Sequence, residues 1–388
     1  MRSGPAAAAL AGTVALAGCS LGDDPSRPPQ LGTGSGDEQA TVSLGFPSTA
    51  TRNTIRVAGA DAASDVAGVA SAVFPATGGS TRPTAVALVD KDDWQAAVTA
   101  APLAGDPIAA PMLVSDGNDL PPVSEDTLDR LDPKGSDLSR DAQVIRIGKD
   151  VARPPGYKTA VIEGDDPYER GAAIDRFFSA ARGKPSANVV VASGQQADWA
   201  MPAAAWAARS GDSVLLTKRM EVPAPTLDAL REHPKANIYL LGPQSVISEK
   251  VARRLGRLGT VRRVQGPTPV QNAIAFARYR RGGFGWGVVV PGYNFTVAST
   301  SRPVDAAASA SLATRGVFAP LLLTDRVDGL PQPLEAYLLS VQPGYERDPA
   351  QAVYNRAWIL GDDKTISVAA QSRLDEITEL VPVQANAP

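Results

Sequence analysis

The chain has 388 residues, enough for two or three domains, and its 44% hydrophobic and 20% charged residues are ordinary for a folded soluble protein. A formal charge of -3 argues against general nucleic-acid binding. A single cysteine, Cys19, excludes an intrachain disulfide framework, and with one histidine, His233, zinc sites rich in His and Cys are excluded by counting.

The N-terminus opens with Met1-Arg2, continues with an apolar segment over 6–17 that is too short to span a bilayer, and closes on Leu16-Ala17-Gly18-Cys19. This resembles a bacterial lipoprotein signal with its lipobox. The resemblance implies that residues 1–18 are removed, that Cys19 is lipidated, and that the protein sits outside the cytoplasmic membrane, held to it by lipid. The other readings are an ordinary secretory signal with a chance cysteine, or a buried apolar N-terminal helix. Residues 19–52 are rich in Gly, Pro, Ser and Asp and lack the apolar side chains that offset chain entropy. They form a tether with a reach of about 30 Å by random-coil scaling. No later stretch is long and apolar enough for a transmembrane helix.

The remainder repeats itself three times, over 53–156, 157–261 and 262–388. A strand ending in glycine opens each repeat at Gly59, Gly164 and Gly266, which are 105 and 102 residues apart. An apolar strand followed by a hydroxyl residue recurs at Ser115, Thr217 and Thr324, and a closing strand with glycine at Gly148, Gly242 and Gly361. The middle repeat shows the order most cleanly: strands over 159–163, 189–192, 213–217 and 238–241, with helices over 168–181, from Asp198, over 225–231 and over 245–258. Alternating strands and helices imply α/β architecture, with parallel sheets flanked by helices and right-handed crossovers. The first repeat is trimmed near its end, where two prolines oppose a helix. The third carries an insertion between Pro343 and Asn355 and ends with a helix over 368–380 and a strand-like 381–383.

At these residues the chain resembles the type 2 cell-wall-binding repeat family. Asp93-Trp94, Asp198-Trp199 and Asp305-Ala306 fit its Asp element, and 111–114, 213–216 and 320–323 fit its Pro-Ile-Leu-Leu strand, with Ser213 in place of proline. The resemblance implies three Rossmann-like repeats packed with pseudo-threefold symmetry and non-covalent binding of an anionic cell-wall polymer, without catalysis or cofactor. It also suggests that the ends of the apolar strands line a groove, where Ser115, Thr217 and Thr324 would offer hydroxyls.

Other chemistry is weakly supported. His233, beside Pro234, reads as a solvated loop residue rather than a general base. Asp165-Asp166 and Asp362-Asp363 follow strand-ending glycines and read as turn residues or helix caps. The glycines between Gly282 and Gly287 precede a strand instead of linking a strand to a helix, so a loop is expected and not a dinucleotide site. Trp94, Trp199 and Trp206 suit either core packing or stacking on sugar rings. Lys250, Arg253, Arg254 and Arg257 fall at i, i+3, i+4 and i+7 of the last helix of repeat two, on one face, which is either solvated or an anionic-polymer contact. Two readings of function are open: a lipid-anchored surface protein binding wall glycopolymer, or a lipoprotein that binds a small solute in a deep two-lobed cleft. A wall hydrolase using carboxylates has no motif.

Overall fold

In the computed structural model, which describes residues 48–314 and 319–383, strands and helices alternate and form three parallel sheets of one topology. Cys19, the leader and most of the expected tether lie outside the described residues. The first sheet contains β3 (Val86–Asp90), β4 (Met112–Ser115), β5 (Val144–Ile147) and β6 (Thr159–Ile162), in the order β4-β3-β5-β6. The second contains β7 (Asn188–Ser193), β8 (Ser213–Thr217), β9 (Asn237–Leu241) and β10 (Thr260–Val264), in the order β8-β7-β9-β10. The third contains β11 (Asn294–Ser299), β12 (Leu321–Thr324) and β14 (Arg356–Leu360), and is completed by β2 (Thr54–Val57). Its order, β12-β11-β14-β2, matches the other two.

The strand that opens each sequence repeat therefore belongs to the sheet of the repeat before it. β6 pairs with β5, and β10 pairs with β9. The N-terminal β2 crosses to the end of the chain and lies parallel to β14, with Ile55 opposite Trp358. This pairing closes three sheets into a ring. β1 (Ser48–Ala50), within the stretch expected to be tether, runs antiparallel along β2 and covers its other edge. In the insertion of repeat three, β13 (Gly344–Tyr345) pairs with β15 (Val381–Pro382), the strand-like end expected from sequence.

Each opening segment has the same local chemistry. After the glycine, Asp61, Asp166 and Thr268 cap the helices Ala62–Val73, Pro167–Arg182 and Pro269–Arg278 by accepting backbone N–H groups of the first turn. Strand residues alternate between two cores, as sheets covered on both faces require. Val189, Val191, Ile238 and Leu240 face an outer core under Leu230 and Leu255, whereas Val190, Ala192, Tyr239 and Leu241 face a core shared by all three sheets. At the centre of that shared core three alanine-rich segments meet: helix Trp94–Thr99 with the following turn Ala101–Ala104, helix Pro202–Ser210 and helix Asp305–Thr314. Small side chains are required because the backbones nearly touch. A Cβ on Gly105 would stand 2.2 Å from the carbonyl oxygen of Ala208.

Two local expectations change. Asp198 does not cap a long helix; it sits in the first turn of the four-residue helix Ala197–Ala200, its carboxylate accepting the Trp199 N–H, and Pro202 starts a new helix at its N1 position. The helix expected over 245–258 is only Glu249–Leu255, capped by Ser248. The glycine-rich 282–287 is a loop, as expected, and it inserts Phe284 into the core. Phe284 stacks on Tyr239 with ring centroids 3.5 Å apart and meets Trp206 edge-on. Trp199 and Trp206 are core residues, and Trp206 donates to Asp212 at 2.9 Å. Phe284→Ala is expected to cost about 3–5 kcal/mol, seen as a lower urea midpoint of the full chain. An unchanged midpoint would show that the loop does not tie repeats two and three together.

Candidate functional site

Open parallel sheets bind ligands beyond the carboxyl ends of their strands, where the strand order reverses. In this chain that point lies beside β3, β7 and β11, and its chemistry differs between the first and third sheets, while the basic groove of the second sheet lies away from it.

At the first sheet it is a cleft of about 490 Å³ whose lining includes Asp90, Asp92, Asp93, Asp150 and Asp165, with Lys149 and Arg170. Asp90 is occupied internally, accepting the N–H of Asp92 at 2.8 Å and of Gly117 at 2.7 Å. Among the described residues no cluster of His, Cys, Asp and Glu is arranged to hold a metal ion.

At the third sheet the corresponding space is filled by a buried cluster. Arg302 lies 2.5 Å from Asp65 and 3.3 Å from Asp305, and it donates to the carbonyl of Gly59 and to Thr365, each at 3.1 Å. Both carboxyls are fully buried. Burial lifts Asp65 to about 8, helped by repulsion from Asp305, and lifts Asp305 to about 7. Asp65 accepts the N–H groups of Gly59 and Gly361, whereas Asp305 has only the Arg302 guanidinium beside it, and burial favours the protonated form of both carboxyls.

His233 is also buried, not solvated. Nδ1 lies 2.8 Å from the carbonyl of Ser186 and Nε2 lies 2.9 Å from Asp175. Both partners are acceptors, so both ring nitrogens carry protons. Burial opposes that charge, but the Asp175 bond and charge outweigh it and raise His233 above its ordinary value. Asp175 stands in the helix Pro167–Arg182, far from the His233 turn in sequence, and nothing in the spacing announced it.

The second sheet carries the basic face expected from sequence. A groove of about 410 Å³ is walled by Lys250, Arg253, Arg254 and Arg257, with Met220, Val222, Leu227 and Val251 as its apolar floor and Glu221 at its margin. Arg257 lies beyond the shortened helix, yet the turn at Gly256 keeps it beside the other three. Among the described residues none of the four enters an ion pair, whereas the nearby Arg263 lies 3.8 Å from Glu249. The apolar lining was missed from sequence because Met220 and Val222 come from the loop after β8 and Leu227 from the helix Ala224–Arg231, and only their nearness to the basic helix in space reveals it.

Ser115, Thr217 and Thr324 are buried at their strand ends, and their hydroxyls are directed inward. Ser115 reaches the carbonyl of Val89 at 3.4 Å, Thr217 that of Glu221 at 3.0 Å, and Thr324 that of Arg326 at 3.1 Å. Thr217 thus shapes the groove from behind by holding the loop that carries Met220 and Val222. Ser248 holds the same loop to the basic helix through the carbonyl of Arg219 at 2.9 Å.

Three parallel sheets in one strand order, flanked by helices and closed into a ring, define a Rossmann-like, three-lobed α/β protein. Residues 161–252 match the model of the cell wall binding domain 2 (CWB2) family. Solved structures with the same fold include two from Clostridium difficile. Cwp6 from Clostridium difficile superposes with a TM-score of 0.68 at 18% identity over 88% of this chain and 51% of that one. Cwp8 from Clostridium difficile gives 0.63 at 19% identity over 88% and 54%. The chain spans about half the length of those structures, and at such identity the likeness is one of fold. No curated protein sequence matches the chain. The matched segment contains Lys250 but stops before Arg253, Arg254 and Arg257.

A carboxyl or imidazole raised in the folded state contributes stability that is complete below its unfolded value and is lost as pH rises through the folded one. Asp65, Asp305 and His233 all have this sign. Stability is expected to fall from pH 5 to pH 8, and Asp305→Asn, which keeps the side-chain volume, to flatten the fall. Urea midpoints at the two pH values measure it, and an equally steep fall in the variant would contradict the raised Asp305 carboxyl.

Proposed function

We propose that this chain is a surface protein that holds an anionic cell-wall polymer non-covalently, in the groove formed by Lys250, Arg253, Arg254 and Arg257. The observation that carries this reading is four cations that, among the described residues, enter no ion pair and gather around one groove, because such guanidinium groups are suited to bidentate contact with phosphate or carboxylate. The match of residues 161–252 to a cell-wall-binding family and the fold shared with two cell-wall proteins of Clostridium difficile support the choice of partner. The lipobox-like Leu16-Ala17-Gly18-Cys19 supports a lipid anchor at Cys19, which would place the chain between membrane and wall. Ser115, Thr217 and Thr324 are not direct contacts in this proposal, because their hydroxyls are buried and bonded. The solute-binding alternative calls for one deep cleft between two lobes. The clefts described above lie on separate sheets of a three-lobed ring.

Charge attraction at an exposed groove is screened by salt. Isolated cell walls should therefore pull down the full chain less well at 0.5 M than at 0.05 M salt, and less well after chemical removal of anionic polymer. The triple variant Arg253→Glu, Arg254→Glu, Arg257→Glu should bind at least tenfold more weakly, with a flatter salt dependence. Undiminished binding to stripped walls, or by the triple variant, would refute the assignment of this groove.

A further inference from the structure

Each sheet accepts its last strand and the following helix from the next repeat, so each must select one incoming segment from three of similar shape. Two equivalent positions recur at every such junction, and at two of the three they form an ion pair. One lies three residues after the central strand that starts the sheet: Asp93 after Asp90, Gln196 after Ser193, and Arg302 after Ser299. Those strand ends are equivalent, since they stand opposite Ser115, Thr217 and Thr324. The other position lies six residues after the opening glycine of the incoming segment: Asp65 after Gly59, Arg170 after Gly164, and Asn272 after Gly266. The three are equivalent in space as well, because a Cβ on each glycine would stand 2.5, 2.3 and 2.4 Å from the amide nitrogen of Asp65, Arg170 and Asn272 respectively.

The charges at these positions differ from junction to junction. At the third sheet Arg302 meets Asp65 at 2.5 Å, with side chains 13% and 0% exposed. At the first sheet the polarity is inverted: Asp93 of the sheet meets Arg170 of the segment, with side chains 21% and 14% exposed. In both cases the arginine also donates to the carbonyl of the opening glycine, Arg302 to Gly59 and Arg170 to Gly164. At the second sheet both positions are neutral amides. Asn272 keeps the bond from its glycine N–H that Asp65 makes, Gly266 to Asn272 at 3.2 Å and Gly59 to Asp65 at 2.8 Å, while its Nδ2 has no partner.

We propose that these pairs form an address code that assigns each opening segment to one sheet. The Asp65 segment placed on the first sheet would face Asp93, and the Arg170 segment placed on the third would face Arg302. Each misplacement buries like charges and strands the correct partners, a large cost in a site with little water. The neutral Asn272 segment loses its place on either charged sheet because it offers no counter-charge. The code acts between molecules as well as within one, since an exchanged segment from a second copy meets the same residues.

The test compares refolding of full chains from urea over a range of concentrations, read by size-exclusion chromatography with light scattering. The neutralised chain Asp65→Asn, Arg302→Gln, Asp93→Gln, Arg170→Asn copies the second junction onto the other two. Its exchange-linked oligomers should exceed those of the unsubstituted chain at least tenfold and rise with concentration. A second chain, Asp65→Arg with Arg170→Asp, gives two segments each other's address and should misassemble. Adding Arg302→Asp and Asp93→Arg to it should restore the original assembly state. Identical assembly of the unsubstituted, neutralised and two-site chains would overturn the proposal. So would failure of the four-site chain to recover the assembly state lost in the two-site chain.

Discussion

The hydrogen bonds between β2 and β14 join the start of the folded chain to its end, and the remaining architecture follows from them. A parallel sheet whose edge strand is missing exposes unpaired backbone groups and an uncovered apolar face. Here each of the first two sheets lacks a fourth strand until the next repeat supplies it, and the third sheet takes its fourth strand from β2. Arg56 secures that pairing from within the strand. Its guanidinium, 3% exposed as a residue, donates to Gln371 at 2.7 Å, to the carbonyls of Gly361 and Asp362 at 2.8 and 2.9 Å, and to that of Ser367 at 3.3 Å. Arg263 holds the carbonyl of Gly242 in the same way at the second junction. No repeat is complete alone, so the ring should gain and lose its order as one unit.

The same constraint explains the centre of the molecule. Once the ring is closed, the alanine-rich segments Trp94–Thr99 with Ala101–Ala104, Pro202–Ser210 and Asp305–Thr314 meet at the centre, and small side chains predominate where their backbones approach. Charge is also buried in pairs, Arg302 with Asp65 and Asp305 and His233 with Asp175, while Arg170 answers Asp93 at a partly buried site. The four cations of the basic groove lie elsewhere, on the second sheet, and among the described residues they enter no ion pair.

Much of this was legible in the sequence because it rests on local pattern. The apolar runs that give β7, β8 and β9, the glycines that follow the opening strands, and the small-residue helices all record period and composition. What was not legible depends on partners distant in the chain. The affiliation of each opening strand with the preceding sheet leaves no trace in a strand's own residues, and a three-fold repeat reads identically whether its strands are kept or handed on. His233 looked solvated beside Pro234 because Asp175 and Ser186, which bury it, are remote in sequence. Lys250, Arg253, Arg254 and Arg257 were recognisable from helical spacing, even though the helix ends before Arg257. Ser115, Thr217 and Thr324 were found at the strand ends, but the sequence could not show that their hydroxyls turn inward.

Closure of the ring is what gives the basic groove a fixed platform, and it is directly measurable by native-state hydrogen exchange on the full chain. Closure by β2 predicts that the amides of Thr54–Val57 exchange with the same opening free energy as those of Arg356–Leu360, because the two strands are released only together. Rapid exchange of Thr54–Val57 while Arg356–Leu360 stay protected would contradict it.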